Sequence, residues 1–304
     1  MNRRDFLHAG AAAVLAPIAA GRLTHESAWA QSAPGLPAPA VDGWIDLFNG
    51  RNLDGFYTFL QKAGKNSDPN RYIRVENGLL HIMANDVTGD AVESGYIATE
   101  REFSDCRIRV EFKWGEKRYP PRLEAKRDNG LCYHIVGPDT VWPTCVECQI
   151  QETDCGDVFL LGNTTGTLGG ITSFNPGRGP RAGGAPPATG QPATPAGAAG
   201  QAAAPAAGRA AATPPPPNPR VQGTRFLKEG DFEIRNDWNT IEVIIQNDRS
   251  AHLVNGRIVN AVNNIQRPDP ANPGQTLPLM RGKIAVQVEY AEIWYRRIAV
   301  RPIG

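Results

Sequence analysis

An acid and two amides recur at every second position in Thr144-Cys145-Val146-Glu147-Cys148-Gln149-Ile150-Gln151. If this stretch is a strand, Glu147, Gln149 and Gln151 share one face and Val146, Cys148 and Ile150 the other, because successive side chains alternate. One face then carries an acid/base group beside two amides able to hold hydroxyls. The same alternation also describes a half-buried strand with a solvated polar face. Gln287 and Glu289 repeat the i, i+2 polar pairing near the C-terminus. His134 has the parity of Cys132 and is opposite to Leu131 and Tyr133, so a regular strand would place it on the Cys132 face. An imidazole titrating near neutrality suits proton abstraction there, although a structural histidine fits the same spacing.

Five cysteines stand at 106, 132, 145, 148 and 155. Cys145-x-x-Cys148 has a metal or redox spacing, but residues three apart in a regular strand face opposite sides. No second Cys-x-x-Cys or His pair completes a zinc site. Buried small hydrophobes, or a disulfide to Cys132 or Cys155, fit better. The odd count leaves at least one thiol without an intrachain partner in an oxidising compartment.

The elements that must hold these residues are strands. Strand signatures recur over Tyr72–Val75, Leu79–Met83, Tyr96–Thr99, Arg107–Trp114, Leu131–Val136, Val146–Gln151, Val158–Leu161, Thr240–Gln246, Ala251–Val254, Ile284–Glu289 and Ala291–Val300, with turn signals such as Asn77-Gly78 and Asn255-Gly256. No comparable stretch sustains a 3.6-residue apolar period. The pattern predicts an all-β sandwich or jelly roll of two antiparallel sheets. Arg107–Trp114 sends Ile108, Val110, Phe112 and Trp114 to the core, while Arg107, Arg109, Glu111 and Lys113 form either a solvated back or one side of a ligand groove.

Several short motifs follow one another in a specific order. They are Leu47-Phe48-Asn49-Gly50, Leu53-Asp54-Gly55, Val75-Glu76-Asn77-Gly78-Leu79-Leu80, Val110-Glu111-Phe112, Asn129-Gly130-Leu131, Glu147-x-Gln149-Ile150, Asp237-Trp238-Asn239, Asn255-Gly256, Gly282-x-Ile284-Ala285-Val286-Gln287 and Ile293-x-Tyr295-Arg296-Arg297-Ile298. In this order they resemble the 3-keto-disaccharide hydrolase family. The chain departs from it at His134, where many relatives have arginine, and at Glu289-Tyr290, where many have His-Gly. The resemblance implies a concanavalin A-like jelly roll and chemistry on a sugar oxidised at C3. The ketone acidifies the C2 proton, a base removes it, the enolate expels the glycosidic oxygen from C1, and water adds back. Such a site needs a base, a group to stabilise the enolate and a proton donor for the leaving group. Glu147 and His134 are the catalytic candidates; Gln149, Gln287, Glu289 and Arg109 are the substrate-binding ones. Protonated side chains or a divalent metal would serve the enolate, and the sequence does not choose between them. A lectin-like carbohydrate-binding domain needs only the polar groove. A retaining glucanase needs two carboxyls about 5–5.5 Å apart, whereas Gln149 follows Glu147 on its face and Glu152 has the opposite parity.

Residues 1–30 read as an export signal of twin-arginine type, with Arg3-Arg4 ahead of an apolar run and Ala28-x-Ala30 at the expected cleavage point. A Pro/Ala-rich leader then spans 31–43, and a single jelly-roll domain is expected over 44–304. From Asn175 to Arg220 no Val, Ile, Leu, Phe, Met, Trp or Tyr occurs, so the segment is expected to be a disordered insertion that buries too little apolar surface to order itself. The formal net charge of +1, without a polybasic stripe, argues against nucleic acid. No apolar run after the signal approaches a membrane span. The expected setting is periplasmic or secreted, with a carbohydrate as partner.

Overall fold

The computed structural model describes residues 36–84, 87, 92–171 and 218–303. The expected export signal, residues 1–30, and residues 175–217 of the Ala/Gly/Pro-rich segment lie outside them. Regular structure among the described residues is strand: β1 (Ile45–Asp46), β2 (Phe56–Leu60), β3 (Gly64–Lys65), β4 (Ile73–Glu76), β5 (Leu79–Ile82), β6 (Gly95–Phe103), β7 (Cys106–Arg118), β8 (Asp128–Val136), β9 (Thr144–Gln151) and β10 (Val158–Leu161). There follow β11 (Thr165–Leu168), β12 (Val221–Gln222), β13 (Arg225–Phe226), β14 (Asn239–Gln246), β15 (Arg249–Val254), β16 (Arg257–Pro268), β17 (Thr276–Pro278), β18 (Gly282–Val288) and β19 (Ala291–Pro302). Among the described residues no helix is long and apolar enough to cross a membrane.

The strands form two antiparallel sheets of a jelly-roll sandwich. The first has the order β11-β16-β15-β14-β7-β19-β5-β4, with β1 on β19 and β17 on β16; the second has the order β12-β13-β10-β9-β8-β18-β6-β2-β3. Consecutive strands β7 and β8 lie in different sheets, as do β18 and β19. The inner faces meet in one apolar cluster that includes Ile108, Val110 and Phe112 of β7 with Leu131, Val146, Cys148, Ile150 and Val286 of the second sheet. Strict alternation builds this layer: in β7 the residues at even positions 106–114 are buried and those between are half-buried.

Every segment with a strand signature overlaps a strand, but eight strands carried none: β1, β2, β3, β11, β12, β13, β16 and β17, of which β2 and β16 are the longest. β2 is buried along almost its whole length and so has no polar alternation to read. β16 includes Asn260, Asn263 and Asn264, and its pairings to both β15 and β11 are interrupted by register shifts. The cysteines correct one expectation. All five are free and buried, so no disulfide joins Cys145 or Cys148 to Cys132 or Cys155. Cys148 packs in the core, while Cys145 joins a second apolar cluster on the outer face of the second sheet with Cys132, Tyr57, Tyr96, Ala98, Ile135 and Ala285.

Among the polar side chains that cross between the sheets, two groups reach from β8 to the first sheet. Asn129 of β8 accepts a 2.6 Å hydrogen bond from the Tyr295 hydroxyl of β19 and donates through Nδ2 to the Gln287 carbonyl at 2.9 Å. The Tyr133 hydroxyl lies 2.5 Å from Ser250 Oγ and 3.0 Å from His252 Nε2, while His252 Nδ1 sits 3.2 Å from the Gly156 carbonyl. With the His252 proton on Nδ1 for that carbonyl, Nε2 accepts from Tyr133 and Tyr133 accepts from Ser250.

Candidate functional site

Three central strands of the second sheet build the site. Register places Cys132 opposite Glu147, Gly130 opposite Gln149 and Asp128 opposite Gln151. On the other side of β8, Ala285 pairs with Cys132 and Val286 with Leu131, which sets Gln287 beside Gly130. Glu147, Gln149 and Gln287 therefore share the outer face, with glycine, alanine and cysteine between them. Gly130 is required by crowding and not by its φ. A Cβ there would lie 2.2 Å from Glu147 Oε1 and 2.6 Å from Gln287 Oε1, so the absent methyl is the space these two side chains use.

Charge converges at the same end of the face. Arg122, on the connection between β7 and β8, reaches Asp128 Oδ2 at 2.6 Å and Glu289 Oε2 at 2.7 Å. Gln149 Nε2 donates to the other oxygen of Asp128 at 3.0 Å. Glu289, Arg122, Asp128 and Gln149 thus form a continuous polar chain ending next to Glu147. Among the described residues no arginine or lysine pairs with Glu147. Burial pushes its carboxyl well above the usual carboxylate range, and Cys132, Glu289 and Asp128 add to the rise, while a hydrogen bond with Gln287 opposes it. Burial also lifts Glu289 to about 8, reinforced by Asp128 and opposed by Arg122. Asp128 is raised by burial against the pull of Arg122. Three neighbouring carboxyls, two of them sharing one guanidinium, cannot all be ionised cheaply in a dry site, so the cluster retains protons near neutrality. It can both donate and accept a proton.

The structure brings Glu147, Gln149, Gln287 and Glu289 together, and leaves two other candidates elsewhere. Arg109 lies on the first sheet, where it is spent on Glu242 Oε1 at 2.9 Å and stacks over Trp44 at 4.3 Å. The polar face of Arg107–Trp114 is thus the back of the sandwich, and Arg109 cannot meet a ligand held by Glu147. His134 is displaced by a bulge. The β8–β9 register shifts between Tyr133 and Val136, and the β8–β18 register shifts over the same residues. Ile135 in place of His134 joins Cys132 on the outer face. His134, with φ 56°, is 1 % exposed and neither ring nitrogen has a hydrogen-bond partner. Burial lowers its pKa to about 3, so it stays neutral and away from the carboxyl cluster.

Arg122 and Asp128 were missed by sequence reasoning. Asp128 has the parity of Gly130 and Cys132, and extending β8 two residues back would have found it. Arg122 sits in an aperiodic connection with no comparable signal. Glu152, the acid just past β9, bonds Arg127 and Arg118, and these outweigh burial to bring it down to about 2. It supplies no second carboxyl beside Glu147. On the first sheet, a cleft of about 390 Å³ is lined by Gly115, Glu116, Lys117, Glu292 and Trp294, but its carboxylate is already committed. Glu292 meets His81 Nε2 at 2.8 Å and accepts from the Glu116 and Lys117 amides at 3.0 and 3.2 Å.

A metal fits the outer-face cluster poorly. Arg122 occupies the place between Asp128 and Glu289 that a cation would take, and among the described residues no group of three or more His, Cys, Asp or Glu side chains converges as a ligand set.

With this geometry in hand, the profile of a protein family described as the 3-keto-alpha-glucoside-1,2-lyase-like domain matches residues 43–301. A comparison with curated proteins finds no match. Among solved structures, a provisionally assigned glycosyl hydrolase from Parabacteroides distasonis is 15% identical, with 86% of this chain and 95% of that chain covered and a TM-score of 0.46. A carbohydrate binding module from Bacillus subtilis is 9% identical, covering 81% and 95%, at 0.39. A β-1,3-1,4-glucanase from a mouse hindgut metagenome is 12% identical, covering 76% and 84%, at 0.38.

Proposed function

The chain belongs to the 3-keto-alpha-glucoside-1,2-lyase-like family, a carbohydrate-active protein of glycosidase type, and from that membership we propose that it cleaves glycosides whose sugar carries a ketone at C3. The observation that supports this most is the buried carboxyl of Glu147 next to Asp128 and Glu289, which Arg122 bridges, on the outer face of the second sheet. Glu147, without a cationic partner, is the base: a carboxylate whose pKa is raised is a stronger proton acceptor once ionised. It takes the C2 proton, and the electron pair moves into the C2–C3 bond as negative charge develops on the ketone oxygen. Arg122 is the cation beside that oxygen. The enolate then reforms the ketone as the C1–O bond breaks, and the departing oxygen takes the proton held by the Glu289–Asp128 pair. Addition of water across the resulting C1–C2 double bond gives net hydrolysis. Proton abstraction, for which His134 was the other candidate, falls to Glu147 alone, and the role of Arg109 passes to Arg122.

The test is aglycone release from a 3-keto-glucoside and from its unoxidised parent by purified protein and by Glu147→Gln. Release only from the keto sugar, abolished in the variant with its melting curve unchanged, is the expected result. Equal release from both sugars would assign a conventional glycosidase, and no release from either would overturn the enzyme reading. The twin-arginine-like leader makes a periplasmic or secreted site of action part of the proposal, checked by fractionating cells that express the full chain.

A further inference from the structure

Gln149 and Gln287 have the same unusual state. Each is almost fully buried, at 5 % and 1 % exposed, and in each the amide nitrogen is engaged while the carbonyl oxygen has no partner among the described residues. Gln149 Nε2 donates to Asp128 Oδ1 at 3.0 Å. Asp128 is itself held by Arg122, and this carboxylate fixes which end of the amide faces it. Gln287 Nε2 points to Cys132 Sγ at 3.6 Å, and its backbone carbonyl is held by Asn129. Both bare oxygens belong to the face that carries Glu147, on either side of Gly130. A buried carbonyl left unpaired costs about 1–3 kcal/mol, so two such acceptors on one face are matched by a ligand that supplies two donors.

From this we infer that Gln149 and Gln287 read, through their carbonyl oxygens, the two hydroxyls that flank the ketone of the substrate, at C2 and C4. This rests on the proposed 3-keto-glycoside reading and specifies its selectivity. A ketone oxygen is an acceptor and cannot face either glutamine. It turns to Arg122, the cation of the cluster, and the hydroxyls on both sides of it then meet the two amides. Gln287, whose oxygen crowds the same space as Glu147 Oε1, takes the hydroxyl on C2, the carbon from which Glu147 removes the proton. Gln149 takes the hydroxyl on C4. The pair are specificity-determining residues: they accept a gluco-configured ring with both hydroxyls free and reject rings that are deoxygenated or capped at either position.

The experiment compares 3-keto-glucoside with its 2-deoxy and 4-deoxy analogues on the unaltered protein, Gln149→Leu and Gln287→Leu. Removing either hydroxyl should lower kcat/KM of the unaltered protein at least about 100-fold. Gln287→Leu should then be insensitive to the loss of the 2-hydroxyl and still sensitive to that of the 4-hydroxyl, and Gln149→Leu the reverse. Equal losses by every protein on every analogue would overturn the inference. The deoxy series on unaltered protein keeps the test decisive if a leucine variant fails to fold. Binding of unoxidised methyl glucoside and its deoxy analogues, followed by ligand-observed NMR, separates this inference from the reaction itself. Weakened binding of both deoxy sugars without keto-sugar turnover would uphold hydroxyl reading and overturn the chemistry, while binding indifferent to both hydroxyls would overturn hydroxyl reading even if turnover is present.

Discussion

Replacing Gly130 by alanine isolates the geometry on which the proposed chemistry depends. The φ of Gly130 is outside the left-handed region, so the backbone accepts an alanine and the new methyl is the whole perturbation. That methyl would stand 2.2 Å from Glu147 Oε1, 2.6 Å from Gln287 Oε1 and 2.8 Å from Gln287 Cδ, where 3.0 Å is the limit of real contacts. Glu147 must therefore retreat by about 0.8 Å. Overpacking costs about 1–3 kcal/mol, and the stiffer unfolded chain returns about 0.4–1, leaving a net loss of at most about 2.6 kcal/mol and about 1.3 at mid-range. In a domain of this size that lowers Tm by a few degrees, at about 2–4 °C per kcal/mol. A displacement of about 1 Å in a catalytic group costs on the order of 100-fold in rate. Gly115 provides the matched control: a Cβ there would lie 2.2 to 2.4 Å from Glu292 atoms on the first sheet. Melting curves and kcat/KM on a 3-keto-glucoside should show both alanine variants destabilised and only Gly130→Ala impaired in turnover. Unchanged turnover in Gly130→Ala, or an equal loss in Gly115→Ala, would refute the placement of the reaction at this face.

The two arginines are expected to separate in the same assay. Arg122→Leu leaves Asp128 and Glu289 without their counter-ion and should lower kcat/KM at least about 100-fold, whereas Arg109→Ala should leave it unchanged while reducing stability as Glu242 loses one of its two arginines. His134→Leu removes a buried imidazole with no hydrogen-bond partner among the described residues, so turnover should persist and stability should hold or rise, by up to about 1–3 kcal/mol of relieved desolvation. A fall in turnover with the fold intact would return His134 to the mechanism. Above the ordinary imidazole pKa of about 6.5 stability should fall with pH. Burial lowers the folded values of His134 and His252 to about 3 and about 4, so their contribution rises with pH only up to about 6.5 and is level beyond it; Glu289, held at about 8, keeps a proton that the unfolded chain sheds from its ordinary value of 4.5 upward, and so costs stability until about pH 8. Thermal melts that stay level or rise between about pH 6.5 and 8 would contradict this.

Parity was a sound guide where the strands are regular. Glu147, Gln149 and Gln287 lie on one face because β9 and the end of β18 alternate without interruption. The same rule failed for His134, since one extra residue in β8 passes the outer position to Ile135, and nothing in Cys132-Tyr133-His134-Ile135 marks the bulge. Alternation in Arg107–Trp114 was legible but not the sheet to which it belongs. That is decided by long-range pairing with β14 and β19, which no local pattern encodes. The partners of Glu147 were the least legible, because Arg122 arrives from an irregular connection and its meaning appears only when Asp128 and Glu289 close around it.

The asparagine between the sheets has a mechanical consequence. In a sandwich held by apolar contact alone, one layer can slide over the other at little cost. Asn129 opposes this with directional bonds, gripping the Tyr295 hydroxyl in one layer and the Gln287 backbone in the other. Tyr295 sits on β19, a central strand of the first sheet, and has no place on the reactive face, yet shear of that strand is transmitted through a single side chain to the residue beside Glu147. Engineering of the chain is therefore constrained unevenly: the outside of the first sheet is open to redecoration, while Tyr295→Phe, a loss of one oxygen in the core, would loosen the alignment of the reactive face.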